Sequence, residues 1–250
     1  MERTVRAPKS AERILLMKRP LRFRAVVLVA FTFTSFAQQP APAAPAPAHK
    51  PATQTTVSPD AIWNNLMEGN ARYVAGHPRA HAIVSLRSSL AKEQHPRVAV
   101  LSCSDSRVPP ELIFDQSLGD LFVVRTAGNI ADAIGRGSLE YAIEHLGSTM
   151  VVVMGHTSCG AVTAACSGDK MPTPNLQAIV DQIAPAVSTA KTKAQGDALL
   201  DAAIRDNVHQ SAKDLLAHSD ELRHMADEGK ITIVEALYHL DSGKVERLGK

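Results

Sequence analysis

Four short runs of strand type constrain this chain more than any other feature: Val98–Leu101, Leu121–Val124, Met150–Met154 and Ile231–Val234, the first three wholly apolar. A strand with one face in water alternates apolar and polar residues, whereas a strand apolar throughout is covered on both faces. Helical stretches lie between the runs, notably Gly137–His145 and Ala198–Ala217. Strands of this kind alternating with helices predict an α/β fold, a central, mostly parallel β-sheet flanked by helices. Residues His239 to Val245 read as a turn into a final edge strand. Ser58 and Pro59 have the chemistry of an N-cap and a first helical residue. Behind them Trp63, Leu66, Met67, Asn70 and Tyr73 keep helical spacing, and Ser85–Lys92 reads as a second, shorter helix. No internal repeat is present.

The chain before Ser58 has a different character. Arg22 and Arg24 lead into the apolar run Ala25–Phe31, and Ser35-Phe36-Ala37 stands before Gln38. A positive flank, a short apolar run and a small-x-small site predict a secretory signal peptide over residues 1–37, cut after Ala37. The run is shorter than the ~20 residues that span a bilayer, so no stable membrane span is expected after cleavage. Met17-Lys18-Arg19 would open a signal peptide of more usual length, which points to Met17 as the true start. Residues 38–58 are rich in Ala and Pro and read as an extended linker, leaving residues 59–250 for the folded domain. The net charge is only +2, and part of that excess lies in the basic N-terminus, so no nucleic-acid surface is implied. The expected location is periplasmic or secreted. Three cysteines are too few for a disulfide scaffold, and free thiols are a liability in an oxidising compartment.

Two of those cysteines fall where open α/β sheets place ligands, just past the carboxyl ends of strands. The first is in Ser102-Cys103-Ser104-Asp105-Ser106-Arg107. If strand geometry persists, Cys103, Asp105 and Arg107 share one side; the plainer alternative is a buried Cys beside a surface Asp–Arg pair. The second is in Gly155-His156-Thr157-Ser158-Cys159-Gly160. A His and a Cys two residues apart on a turn can reach one ion, and thiolates with imidazole favour zinc. Gly155 and Gly160 are expected to let the backbone turn tightly there. Bound zinc would also account for two free thiols, leaving Cys166 to be read as a small buried hydrophobe.

The pair Cys-Ser-Asp-Ser-Arg and Gly-His-Thr-Ser-Cys-Gly resembles the signature of the β-class carbonic anhydrases. The resemblance continues through Val108–Asp115, Gly119–Arg125, Ala127-Gly128-Asn129 and Gly137–Ala142. Gly69-Asn70-x-Arg72-Tyr73 and Tyr238-x-Leu240-x-Ser242-Gly243-Lys244-Val245 extend it over essentially residues 60–248. It implies a lyase, a carbonate dehydratase that hydrates carbon dioxide reversibly to bicarbonate and a proton, with one Zn2+ per subunit. The implied zinc ligands are Cys103, His156 and Cys159, with Asp105 a conditional fourth. Asp105 and Arg107 are the implied catalytic dyad: with Asp105 on Arg107 the site is open, and with Asp105 on zinc it is closed and inactive. Gln94, Phe122 and Tyr141 match pocket positions. Relatives with the closed, bicarbonate-regulated form carry Trp where this chain has Val100, so an open site is expected. The family also implies a homodimer or homotetramer in which the helix over residues 60–75 wraps a neighbour. Two other readings use the same residues: a hydrolase of a related small molecule such as carbon disulfide, and a non-catalytic zinc assembly module.

Overall fold

In this computed structural model the described residues are 57–249. The expected signal peptide, most of the expected linker and the choice between Met1 and Met17 therefore lie outside them. The first helix, α1 (Pro59–Val74), starts where the sequence places it: the Ser58 hydroxyl accepts from the Ala61 N–H at 3.3 Å and Pro59 occupies the first turn. There follow α2 (Ile83–Leu90), β1 (Val98–Cys103), the single turn α3 (Pro110–Ile113), β2 (Leu121–Thr126), a 3-10 turn over Ala127–Asn129 and α4 (Ala133–Glu144). The chain continues as β3 (Met150–His156), α5 (Gly160–Ser167), α6 (Pro174–Lys191), α7 (Ala198–Ala217), α8 (Asp220–Asp227), β4 (Thr232–Tyr238) and β5 (Val245–Leu248).

The strands form one sheet in the order β2-β1-β3-β4-β5. All neighbours are parallel except β5, which runs antiparallel to β4. Every residue of β1 and β3 is buried. Alternation along them divides the core into two layers. Val98, Val100, Met150, Val152 and Met154 face Ile62, Trp63 and Leu66 of α1. Ala99, Leu101, Val151 and Val153 face Leu139 of α4 and Val208 and Leu215 of α7. Val100 is thus an interior residue of the first layer.

Asn70 joins distant parts of the chain to α1. Its Nδ2 donates to the carbonyls of Ile113 and Gly243 at 3.1 and 2.9 Å, and its Oδ1 accepts from the Val245 N–H at 3.0 Å. That explains why a polar residue sits on the apolar face of the helix. Nearby, the carboxylate of Asp115 is buried but accepts from the Arg79 N–H, with His81 Nε2 at 3.0 Å and Arg72 Nε against it. Burial alone would raise its pKa; the charge and hydrogen bonds of Arg72, Arg79 and His81 outweigh burial and lower it.

Several boundaries differ from the sequence reading. The second helix begins at Ile83 rather than Ser85, and α4 begins at Ala133 rather than Gly137 because the Asp132 carboxylate caps it, accepting from the Gly135 N–H at 2.7 Å. The last parallel strand runs on to Tyr238 because its backbone pairs with β3 as far as His156. Helices α3, α5, α6 and α8 come in addition to those expected. Moreover, α1 buries Ile62, Trp63 and Leu66 in its own subunit, whereas α2 buries none of its residues.

Candidate metal centre

The chain leaves β1 outward to β2 and then returns to the other side of β1 to form β3. The carboxyl ends of β1 and β3 therefore flank the point where strand order reverses, and loops leaving them in opposite directions open a crevice. Cys103 is the last residue of β1 and His156 the last of β3, on directly paired strands. Cys159 follows in the turn that opens α5, with Ser158 in a left-handed conformation at φ 56°. The tight turn thus falls on Ser158, not on the two glycines. Gly155 is needed for a different reason, since a Cβ there would stand 2.5 Å from Val208 Cγ2 of α7. At Gly160 a Cβ would meet nothing within 4 Å.

The three ligand atoms of Cys103, His156 and Cys159 lie within 4.8 Å of one another, and all three residues are buried. His156 Nδ1 lies 2.9 Å from the Thr157 carbonyl, an acceptor only. Nδ1 therefore carries the ring proton, and Nε2 presents its lone pair. That Nε2 is buried and has no hydrogen-bond partner, an arrangement that is costly unless a further group meets it. Two sulfurs and an imidazole nitrogen converging on one point fit zinc with one coordination position left for water.

The thiols of Cys103 and Cys159 lie within 4.8 Å of each other. The Cys103 thiol is lowered to about 4, first by its interaction with Cys159, then by His156 and the Gly128 N–H, against the opposing effect of burial. The same interaction, with burial, pushes the Cys159 thiol up. The pair thus holds one proton firmly until a cation takes its place. Cys166, on α5, is half-buried rather than fully buried, and burial raises its thiol as well.

Asp105 and Arg107 come together, although not by strand alternation: β1 ends at Cys103 and both residues lie in the turn beyond it. The Arg107 side chain folds back, donating from Nε to Oδ1 at 2.9 Å and from Nη2 to Oδ2 at 2.7 Å, while its backbone N–H donates to Oδ1 at 2.9 Å. These bonds hold the Asp105 carboxyl well below the usual carboxylate range, against the opposing effect of burial. Asp105 Oδ2 lies 3.9 Å from His156 Nε2, and Asp105 is not among the converging ligand atoms.

The other three residues go elsewhere. Gln94 and Tyr141 line a cavity of roughly 910 Å³ with Arg87, Leu90, His95 and Leu121. Leu121 begins β2, so this cavity lies at the amino ends of the strands, the length of β1 away from Cys103. Phe122 follows on β2, its ring centroid 6.2 Å from that of Tyr141. Within one subunit these residues do not meet the metal ligands.

Two contributors had escaped the sequence reading. Arg125, at the exposed edge of β2, donates from Nε to the Cys103 carbonyl at 2.9 Å and from Nη2 to the Asp105 carbonyl, fixing the turn between ligand and dyad. The Gly128 N–H donates to Cys103 Sγ at 3.3 Å. Both lie in quoted stretches of the resemblance, but sequence spacing does not show that β2 ends alongside β1.

The protein-family model described as carbonic anhydrase matches residues 98–245. Carbonic anhydrase 2 of Mycobacterium tuberculosis is 39% identical over 191 residues, which cover 75% of this chain and 91% of that protein. The carbonic anhydrase of Mycolicibacterium smegmatis is 39% identical over 193 residues, 76% of this chain and 93% of that protein. Among solved structures, the β-carbonic anhydrase CafA of Aspergillus fumigatus matches with a TM-score of 0.59 and 27% identity, covering 76% of this chain and 89% of its own. The β-carbonic anhydrase CcaA matches with a TM-score of 0.60 and 26% identity, covering 75% and 86%. With a family model matching residues 98–245, relatives 39% identical over most of their length and a buried Cys-His-Cys cluster at the switch point of its sheet, the chain belongs to the β-carbonic anhydrase family.

Proposed function

We propose that this protein is a zinc-dependent carbonic anhydrase that interconverts carbon dioxide and bicarbonate at the Cys103–His156–Cys159 centre. The observation that carries this reading is the convergence of two sulfurs and an unpartnered, buried imidazole nitrogen beside a carboxylate already restrained by Arg107. Cys103, His156 and Cys159 would hold the metal, which when bound supplies a water acidified towards neutrality and hence a nucleophile at working pH. Asp105 is the group that orients that water. Ionised and unable to donate, its carboxylate accepts a hydrogen bond, and Arg107 keeps it from moving onto the metal. This arrangement supports an open resting site, in keeping with Val100. Stopped-flow hydration of carbon dioxide by zinc-loaded protein tests the reading. A rate that rises with zinc content is expected; a fully loaded protein inert towards carbon dioxide but active on carbon disulfide would replace it with the hydrolase reading.

The protein acts as a homo-oligomer, a homodimer or homotetramer. Ile83 and Val84 on α2 are 51% and 75% exposed, and Leu118 and Tyr141 beside the 910 Å³ cavity are each 47% exposed. A second copy would cover them. Because Gln94 and Tyr141 lie at the opposite end of the sheet from the cysteines, they can serve a metal centre only in a neighbouring subunit. Light scattering should give a multiple of the subunit mass, and a monomer at full activity would defeat this assignment.

The basic flank, apolar run and Ser35-Phe36-Ala37 site support export to the periplasm or beyond. None of the described helices is long and apolar enough to cross a membrane. Fractionation of bacteria making the full chain should recover it outside the cytoplasm with Gln38 at its amino end; full-length protein in the cytoplasm alone would contradict export.

A further inference from the structure

Asn207 stands in the middle of α7 and is 1% exposed, an expensive place for an amide unless its partners are met. Its Nδ2 donates to the Gly128 carbonyl at 2.7 Å, across 79 residues of sequence. Gly128 is itself buried, left-handed at φ 73° and ψ 22°, and its own N–H donates to Cys103 Sγ. A Cβ on it would stand 2.7 Å from Ile183 Cδ1 of α6, so the backbone presses directly against that helix. Asn129 follows, also left-handed at φ 47°. Glycine has the widest conformational range of any residue, so an N–H borne by glycine stays on a sulfur only if the rest of the turn is pinned. Ile183 blocks one side of the turn, and Asn207 ties down its carbonyl.

We propose that Asn207 is a positioning residue of the metal centre, holding the Gly128 N–H on the Cys103 sulfur through its hydrogen bond to the Gly128 carbonyl. The inference rests on the zinc reading above. A hydrogen bond to a ligating thiolate draws charge from the sulfur and lessens its donation to the metal, and partners outside the ligand shell also hold a ligand in its geometry. Removing the Asn207 amide should therefore loosen the metal, because the ligand is no longer held in its geometry, even though the sulfur freed from the Gly128 N–H becomes a stronger donor.

The test compares zinc- and cobalt(II)-loaded wild type with Asn207→Leu, which keeps the bulk of the side chain and removes the donor. Zinc transfer to a chromogenic chelator should quicken by about 10–100-fold. The thiolate-to-cobalt charge-transfer band should move to longer wavelength, a change that looser packing alone would not produce. If Asn207→Leu does not fold, Asn207→Ala, which removes the donor without bulk, is measured in the same way. A folded variant with wild-type band position and wild-type zinc transfer would overturn the assignment and leave Asn207 a packing residue. Wild type that takes up neither metal would instead overturn the zinc reading, so the two failures are distinguishable.

Discussion

Cys159→Ser and His156→Ala are each expected to yield protein that retains almost no zinc and hydrates carbon dioxide no faster than buffer does. The side chains of Cys103, His156 and Cys159 are buried, with their ligand atoms inside a 4.8 Å radius of one another. A serine hydroxyl is a harder and far less acidic donor than a thiol, so Cys159→Ser leaves one thiolate and one imidazole, too few to compete for the ion. His156→Ala removes the imidazole nitrogen from the cluster, the one nitrogen ligand it has among the described residues. Because β3 is buried over all seven residues, the loss should be local, with the sheet intact. Metal analysis after dialysis, stopped-flow rates and a thermal melt decide it together. Near-stoichiometric zinc with a wild-type rate in Cys159→Ser would remove Cys159 from the ligand set.

The second large effect concerns Arg107. Arg107→Ala should keep zinc yet lower the hydration rate by about 100-fold, the upper range for groups that act on a metal site from outside its ligand shell. Three hydrogen bonds from Arg107 hold Asp105, two of them from the side chain. Without the guanidinium the carboxylate, whose Oδ2 now lies 3.9 Å from His156 Nε2, loses its charge partner and is free to turn towards the ligand cluster. Asp105→Asn should impair the rate through a different fault, since an amide can donate where a pure acceptor is required. The double variant should be little worse than the poorer single one, because the two residues act as a unit. Arg107 depresses the Asp105 pKa, so in wild type the carboxylate is ionised down to that lowered value; in Arg107→Ala it rises only towards 3.8, below the near-neutral range in which a zinc-bound water ionises, so the loss of rate should be the same at every pH across that range. A wild-type rate in Arg107→Ala would show that the pairing has no part in catalysis.

Much of the fold was legible because its signals are local. The apolar runs located the four parallel strands, and Ser58 with Pro59 marked the start of α1, because capping and burial on both faces leave a direct imprint on composition. Boundaries moved where tertiary pairing extends an element, as at Tyr238, or where a cap outside the apolar pattern starts it, as at Asp132. The proximity of Asp105 and Arg107 was anticipated through strand alternation, but the strand stops at Cys103 and the contact is made by the arginine folding back across a turn. Gly155 and Gly160, on either side of His156–Cys159, were expected to form the turn, yet Ser158 carries the left-handed conformation, while Gly155 makes room for Val208.

By itself the sequence carried the sheet type and pointed to Cys103, His156 and Cys159 as a candidate zinc-binding set, because thiolates and imidazole at strand ends carry their meaning in residue type and spacing. Only the tertiary structure decided that β1 and β3 lie side by side, and so that Cys103 and His156 converge. It also decided that Asp105 rests on Arg107, that Gln94 and Tyr141 belong to the far end of the sheet, and that Asn207 reaches Gly128. Each is a contact between parts of the chain separated by a crossover or a turn, and strand order and side-chain direction, which set such contacts, leave no periodic mark in the sequence.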